Sequence, residues 1–161
     1  MKVYTDGSYD KKRSPNTTAF AAVVVKDEIP TEYIVDIIFG VQKEPWVQMW
    51  NVGGELCGVI TAIDYMQYKY NVDKIELYFD YIGIEKWVTG EWKAKNSNTI
   101  AYRKHMEKIK EDIPITFIHV PGHSNILLNE VADKYAKYAT ELYLSEGKEI
   151  YLKCDEHIPV K

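Results

Sequence analysis

The sequence has 161 residues, of which 46% are hydrophobic and 27% charged, and its formal net charge is −4 at pH 7. This length and composition are typical of one globular domain with its own core, and the two cysteines, Cys57 and Cys154, have spacing typical of neither a zinc site nor a disulfide framework. No apolar run reaches the ~18 residues of a membrane span, and we expect no signal peptide, because a strand pattern begins at residue 2. The negative net charge argues only weakly against nucleic acid as a binding partner.

The N-terminal part of the chain predicts three antiparallel strands followed by a helix. Residues 2–6, 18–26 and 33–41 are rich in β-branched and aromatic side chains, and a polar loop over residues 9–16 separates the first two. Residues 46–50 read as an aromatic loop. Gly53 and Gly54 then lead into a helix whose apolar residues recur at helical spacing, which places Glu55 in its first turn.

The remaining chain predicts an alternation of strands and helices. Residues 74–80 and 115–120 are predicted strands, and residues 82–89, 99–111 and 128–142 are predicted helices. The order β-β-β-α-β-α-α-β-α indicates an α/β fold with a five-stranded mixed sheet, in which strands 1–3 are antiparallel, strands 4 and 5 are parallel, and helices flank the sheet. We expect a domain over residues 1–144 and an extension of unknown role over residues 145–161, where residues 149–153 could add one strand.

Two carboxylates are expected at the carboxyl ends of neighbouring central strands. Asp6 closes the first predicted strand and Asp80 the fourth, where alternation places Asp80 opposite Ile75, Leu77 and Phe79. Open α/β sheets bind ligands at this edge. Like charges held close together need a compensating cation, and carboxylate oxygens suit Mg²⁺ or Mn²⁺. The sequence therefore predicts an acidic metal site with phosphoryl transfer as its natural chemistry.

Three further polar residues have a structural interpretation that is at least as good as a functional one. An acidic residue at Glu55 is favoured by the helix dipole, and Asp133 fits a solvated helix face. His123 follows a Pro-Gly turn, where a lone histidine is usually an exposed polar residue. From pattern alone, the structural interpretation of Glu55 and Asp133 is the better one.

Four segments together resemble the type 1 ribonuclease H family. They are residues 4–8 (YTDGS), 51–56 (NVGGEL), 79–80 (FD) with 83–87 (GIEKW), and 120–124 (VPGHS) with 129–133 (NEVAD). The Asp-Gly-Ser segment alone is weak evidence for a family, but four motifs in this order, each on the expected helix, strand or loop, are highly specific evidence for this one. The resemblance covers residues 1–139, and residues 83–96 are similar to a bacterial and phage subgroup without the long basic handle.

The resemblance implies an endonuclease that hydrolyses the RNA strand of RNA–DNA hybrids with two Mg²⁺ ions, for which Mn²⁺ can substitute. It would leave 5′-phosphate and 3′-hydroxyl ends. By the same resemblance Asp6 would bridge both ions, Asp133 would help hold the ion that activates water, and Glu55 and Asp80 would hold the ion at the leaving oxygen. His123 would assist proton movement or the departure of metal or product.

The resemblance also implies the contacts to the hybrid. The RNA would face the backbone of Gly7, Ser8 and Gly53 and the side chain of Asn51, and the DNA side would be lined by Trp87, Trp92, Lys93 and Lys95. Core packing is an equally good interpretation of Trp87, as is a solvated loop for the two lysines. The expected partner is the hybrid duplex, with no membrane, and the expected form is a cytoplasmic monomer.

The sequence departs from the family in three places. Only Lys93 and Lys95 remain of the basic handle, Trp50 stands where the family often has Thr, and Tyr81 follows Asp80 where Ser is common. None of these changes removes an acidic candidate. Two alternatives come from other classes: a non-catalytic module that binds hybrids or double-stranded RNA, and a DNA nuclease or resolvase on the same fold. Four clustered acids disfavour the first, because they repel phosphate.

Overall fold

Five strands and four helices follow one another in the part of the chain that the structure describes. This computed structural model describes residues 1–39, 49, 51–122 and 124–146, without the side chains of Phe39 and Asn51. The strands are β1 (Lys2–Ser8), β2 (Thr17–Lys26), β3 (Ile29–Phe39), β4 (Ile75–Phe79) and β5 (Ile115–His119). The helices are α1 (Asn51–Lys69), α2 (Gly83–Thr89), α3 (Ser97–Asp112) and α4 (Leu127–Glu146).

The strands form one mixed sheet in the order β3-β2-β1-β4-β5. β1 pairs antiparallel with β2, and β2 with β3, whereas β4 pairs in parallel with both β1 and β5. This arrangement confirms the predicted five-stranded sheet. In the β1–β4 ladder Tyr4 lies beside Tyr78. Each tyrosine precedes an aspartate by two residues, so the register brings Asp6 and Asp80 to the same edge.

β1 continues beyond the predicted end at Asp6. Its antiparallel ladder with β2 runs through Asp6, paired with Ala21, to Ser8, paired with Ala19. The parallel ladder with β4 ends earlier, at Tyr4. The prediction that Asp6 closes the strand is therefore wrong, because β2 supports β1 for longer than β4 does. Asp6 lies where β1 keeps one neighbour and has lost the other.

β3 begins at Ile29, four residues before its predicted start. The two residues that connect β2 to β3, Asp27 and Glu28, have φ angles of 52° and 64°. Two successive positive φ values are typical of the tight turns that join antiparallel strands without splaying them. Asp27 is common at the first position of such a turn, but Glu28 stands where glycine is usual, so the sequence did not indicate a two-residue turn.

Apolar side chains bury both faces of the sheet. On one face α1 and α3 pack on the strands around Val3, Leu56, Leu77 and Met106, all of which are fully buried. On the other face α4 lies over β1, β2 and β3, where small residues such as Ala136 allow a close approach. The central strands are thus fixed from both sides, and so are the residues at their ends.

The helix α3 begins at Ser97, two residues before the predicted start at Thr99. Asn96 caps it, because its Oδ1 accepts hydrogen bonds from the backbone N–H groups of Asn98 at 3.0 Å and Thr99 at 2.8 Å. An asparagine in this position satisfies donors that otherwise have no partner inside the helix. The predicted and observed bounds of the other short helix, α2, agree within one residue.

α1 begins at Asn51, so Gly53 and Gly54 lie inside the helix and Glu55 falls in its second turn. The predicted helix start after the glycine pair is therefore wrong. A Cβ atom on Gly54 would lie 2.5 Å from the backbone oxygen of Ala19, a distance that side chains do not tolerate. Gly54 thus serves the close packing of α1 on β2, and this packing carries Glu55 to the sheet edge.

Replacing Gly54 by alanine should lower the free energy of unfolding by roughly 1–3 kcal/mol, because overpacking forces the helix and strand apart. Gly58 provides the matched control on the same helix. Its added Cβ would lie 3.2 Å from the Cβ of Phe20, a smaller overlap than at Gly54, and the gain in helix propensity offsets part of the crowding. Urea denaturation of both variants measures the difference. Equal stability of Gly54→Ala and Gly58→Ala would contradict the close-packing account.

The C-terminal part of the described chain ends with α4 at Glu146, so this helix runs through the predicted boundary at residue 144. The predicted strand over residues 149–153 lies outside the described residues, as does most of the predicted aromatic loop. The division into a domain and an extension stays a prediction. None of the described helices is long and apolar enough to cross a membrane.

Candidate metal centre

Three carboxylates from different elements meet at one edge of the sheet. Asp6 comes from β1, Asp80 directly follows β4, and Glu55 projects from α1. Each supplies one oxygen, and these oxygens lie within 4.8 Å of one another. The topology accounts for Asp6 and Asp80 through parallel pairing. Glu55 joins them because α1 packs closely on β2 at Gly54.

Asp80 is held in place by the neighbouring strand. The Nε2 atom of His119 lies 2.8 Å from the backbone oxygen of Asp80, and the N–H of Val120 donates to Phe79 at 2.7 Å. Gly122 lies close to the Asp80 side chain, since a Cβ atom on this glycine would be 4.0 Å from Asp80 Oδ2. β5 and the turn after it therefore fix the backbone on both sides of this carboxylate.

Asp133 reaches the same region from α4. It lines a small cavity of about 40 Å³ together with Asp6, Asp80 and three other residues, which are Gly122, Asn129 and Glu130. This volume suits ions and water rather than an organic cofactor. Asp133 Oδ2 also accepts a hydrogen bond from Lys137 Nζ at 2.9 Å. The structure thus brings all four predicted acids together, three as a tight group and the fourth across the cavity.

Burial and mutual repulsion make the ionised form of this group unfavourable. The pKa of Asp6 is raised to about 7, chiefly by burial, with a hydrogen bond to Glu55 opposing the rise and the charges of Asp80 and Asp133 contributing to it. Glu55 is 2% exposed, and burial raises its pKa well above the usual range, with Asp6 and Asp80 adding to the shift. Protons or cations must therefore compensate the cluster.

The donor set fits a divalent metal ion. Within the described residues, the buried Oε2 atom of Glu55 has no hydrogen-bond partner. A buried acceptor left unpaired costs free energy, and a cation at the centre of the three carboxylates would remove that cost. Oxygen ligands of this kind suit Mg²⁺ and Mn²⁺ rather than softer metals. Lys137 already places one cation beside Asp133.

Three of the predicted RNA-contacting residues lie within two positions of an acid of the cluster along the chain. Gly7 and Ser8 are half-buried at the end of β1, beside Asp6. Gly53 is buried within α1, two residues before Glu55. The positions of these three residues are compatible with backbone contacts near the cluster. The side chain of Asn51 and the whole of His123 lie outside the described residues, so their predicted roles stay predictions.

The predicted DNA side consists of an aromatic group and two lysines. Trp87 packs partly against the core and partly against Tyr81 and Trp92, with ring centroids 5.8 Å and 5.7 Å away. The core-packing and surface interpretations of Trp87 therefore both describe part of its environment. Trp92 is 36% exposed. Lys93 and Lys95, which follow it, are both exposed.

Sequence reasoning missed two residues at this edge. His119 bonds to the backbone of Asp80, and Asn129 lines the cavity. The pattern offered only indirect signals for them. His119 lies within the predicted strand over residues 115–120, and Asn129 opens the motif over residues 129–133, about one helical turn before Asp133.

Comparisons with known proteins agree with this architecture. The sequence profile of the RNase H family matches residues 1–141. Human Ribonuclease H1 is 34% identical over 79 residues, which covers 42% of this chain, and mouse Ribonuclease H1 is 28% identical over 78 residues. Each match spans only 27% of the length of the mammalian protein.

Solved structures share the fold over most of both chains. RNase H1 from the halophilic archaeon Halobacterium salinarum superimposes with a TM-score of 0.67 at 23% identity, covering 87% of this chain and 96% of that one. LC11-RNase H1, solved in complex with an RNA/DNA hybrid, superimposes with a TM-score of 0.63 at 17% identity, covering 86% and 98%. At these identities the similarity shows the fold alone.

Proposed function

The chain belongs to the ribonuclease H family, and we propose that it is an endonuclease that hydrolyses the RNA strand of RNA–DNA hybrids. The observation that carries the proposal is the meeting of Asp6, Glu55 and Asp80, whose oxygens lie within 4.8 Å of one another. Asp133 lines the same cavity as Asp6 and Asp80. A module that only binds nucleic acid gains nothing from four clustered acids, because they repel phosphate.

We propose that these four carboxylates would hold two Mg²⁺ ions, for which Mn²⁺ could substitute, and that Asp6 would contribute to holding both. When bound, the ions would supply an activated water and stabilise the charge on the leaving 3′ oxygen. Asp133 would help to hold the ion that activates the water, and Glu55 and Asp80 would hold the ion at the leaving 3′ oxygen. Breaking the bond between phosphorus and the 3′ oxygen leaves a 3′-hydroxyl and a 5′-phosphate.

The protein's own contribution is to hold these side chains in place before substrate arrives. The strand ladder fixes Asp6, the bond from His119 fixes the backbone of Asp80, and Lys137 orients Asp133. Such preorganisation lowers the reorganisation needed during reaction. His123 is proposed to assist proton movement or product departure.

We propose that different groups of residues recognise the two strands of the hybrid. We propose that the RNA strand meets the backbone of Gly7, Ser8 and Gly53 and the side chain of Asn51, and the position of Gly7 and Ser8 next to Asp6 supports this. A 2′-hydroxyl contact there would distinguish RNA from DNA. The exposed Trp92, Lys93 and Lys95 would meet the other strand, where ammonium groups contact phosphates. We assign this activity to residues 1–144, acting as a monomer.

Product analysis tests this proposal against its alternatives. Labelled hybrid, double-stranded RNA, duplex DNA and branched DNA are each incubated with the full chain in Mn²⁺ and examined for both cleavage and gel shift. We expect internal cuts in the RNA of the hybrid, with 5′-phosphate ends. A gel shift without cleavage would favour the binding module. Cleavage of duplex or branched DNA but not of hybrid would favour a DNA nuclease.

A further inference from the structure

Asn129 is a neutral polar residue in the wall of the carboxylate cavity. It is the third residue of α4 and lies one helical turn before Asp133, so both side chains project from the same face of the helix. The two residues line the cavity together with Asp6 and Asp80. The proposed function assigns roles to the four acids and to His123, and it assigns none to Asn129.

The side chain of Asn129 is buried, and its acceptor oxygen is unpaired within the part of the chain that the structure describes. The residue is 4% exposed, and its Oδ1 atom has no hydrogen-bond partner among the described residues. Leaving a buried acceptor unpaired costs roughly 1–3 kcal/mol, so a leucine of similar size would serve packing better. An unpaired amide oxygen in the wall of a polar cavity therefore indicates a donor that binds there.

The chemistry of the cavity restricts what that donor can be. The acids already carry a surplus of negative charge, and a further carboxylate would add repulsion, whereas an amide accepts a hydrogen bond without adding charge. A divalent cation of the Mg²⁺ type keeps several water molecules as ligands. Such waters are strong hydrogen-bond donors, and the small cavity has room for them.

We propose that Asn129 is a positioning residue whose Oδ1 accepts a hydrogen bond from a water molecule on the cation held by Asp6 and Asp133. This inference rests on the proposed metal site and adds a member to it. The amide orients the water on the Asp133 side of the cavity. Because the metal-ligand oxygens are those of the acids, loss of the amide weakens cation binding without abolishing it.

Calorimetric titration of Mn²⁺ into the folded full-length protein tests this role independently of catalysis. Asn129→Leu should weaken Mn²⁺ binding about 10–100-fold, the range typical for outer partners of metal sites. Its melting temperature in EDTA should be unchanged or higher, because an unpaired buried acceptor has been removed. Asn129→Asp keeps an accepting oxygen and should bind Mn²⁺ at least as tightly as the wild type.

Thr140→Val provides the matched control. Thr140 is a buried polar residue of the same helix, 6% exposed, and does not line the cavity, so this variant should bind Mn²⁺ like the wild type. Wild-type affinity in Asn129→Leu would overturn the inference. So would weakened binding in Asn129→Asp, which also decides the question if Asn129→Leu does not fold.

Hybrid cleavage by the wild type, measured in parallel, separates this inference from the proposed function. If the wild type binds Mn²⁺ and cleaves hybrid while Asn129→Leu binds Mn²⁺ equally well, only the role of Asn129 is rejected. If the wild type neither binds Mn²⁺ nor cleaves hybrid, the proposed function fails and the role of Asn129 fails with it.

Discussion

Asp80→Asn should reduce hybrid cleavage by more than roughly 100-fold and leave hybrid binding intact. Changing an outer partner of a metal site typically costs 10–100-fold, and a direct ligand should cost more. Asparagine has nearly the same shape, and the bond from His119 to the backbone of residue 80 does not depend on the side chain. Removing a negative charge also lowers repulsion of the substrate phosphates, so affinity should be equal or higher.

Cleavage rates and fluorescence anisotropy on one labelled hybrid measure the two effects separately. Asp64→Asn is the matched control, because it makes the same change on the exposed side of α1. Asp64 contacts His105 at 2.9 Å and lies outside the carboxylate group. It should cleave at the wild-type rate. Turnover like that of the wild type in Asp80→Asn would reject its assignment as a metal ligand.

The second large effect concerns the stability of the metal-free protein. Burial raises the pKa of Glu55 well above its usual range and that of Asp6 to about 7. In the unfolded chain both ionise near pH 4, at their usual values. Between about pH 4 and pH 7 the folded protein therefore binds more protons than the unfolded chain. The free energy of unfolding falls as the pH rises through this range.

Glu55→Gln should flatten this dependence and raise the metal-free melting temperature at pH 7 by several degrees, because an amide neither buries a charge nor has to take up a proton on folding. It should also abolish hybrid cleavage. Saturating Mn²⁺ should raise the melting temperature of the wild type far more than that of the variant, since the ion binds the native state. Thermal denaturation in EDTA and in Mn²⁺, from pH 5 to pH 8, measures each effect.

In EDTA, the melting temperature of the wild type should fall relative to that of Glu55→Gln as the pH rises from 5 to 7. A difference that stays constant, or that changes in favour of the wild type, would contradict the raised pKa values. Equal stabilisation of both proteins by Mn²⁺ would contradict the place of Glu55 in the metal site. The two outcomes are independent, because the first concerns protons in the metal-free protein and the second concerns the cation.

The sheet and its two aspartates could be predicted because they depend on local patterns. Alternating side chains identify β4, and the helical connection from β3 allows β1 and β4 to pair in parallel, as they do. Asp6 and Asp80 follow from that pairing. The end of β1 was missed because it is set by β2, a partner whose length relative to β4 has no signature in the residues around Asp6.

Glu55 and Asp133 could not be placed from pattern alone. Glu55 reaches the site because α1 packs closely on β2, and this depends on the contact of Gly54 with Ala19, far away in sequence. Asp133 lies at the edge of the apolar stripe of α4, three residues before the buried Ala136, where an acidic side chain is more often solvated than functional. Their place in the cluster depends on how helices sit on the sheet, and only the motif resemblance anticipated it.

His119 and Asn129 show the same limit more sharply. Each acts on residues of another element, His119 on the backbone of Asp80 and Asn129 on the cavity between strand ends and α4. A single histidine and a single asparagine carry no periodic signal. Their significance appears only when the tertiary structure shows which atoms they meet and which of those atoms lack partners.

The most direct test of the central claim is a cleavage assay on an RNA–DNA hybrid, labelled on each strand in turn, with a titration of Mg²⁺ and of Mn²⁺. We predict cuts inside the RNA strand that appear only when one of these ions is added, while the DNA strand and duplex DNA stay intact. No cleavage of the RNA strand at any concentration of either ion would contradict the assignment of this chain as a metal-dependent ribonuclease H.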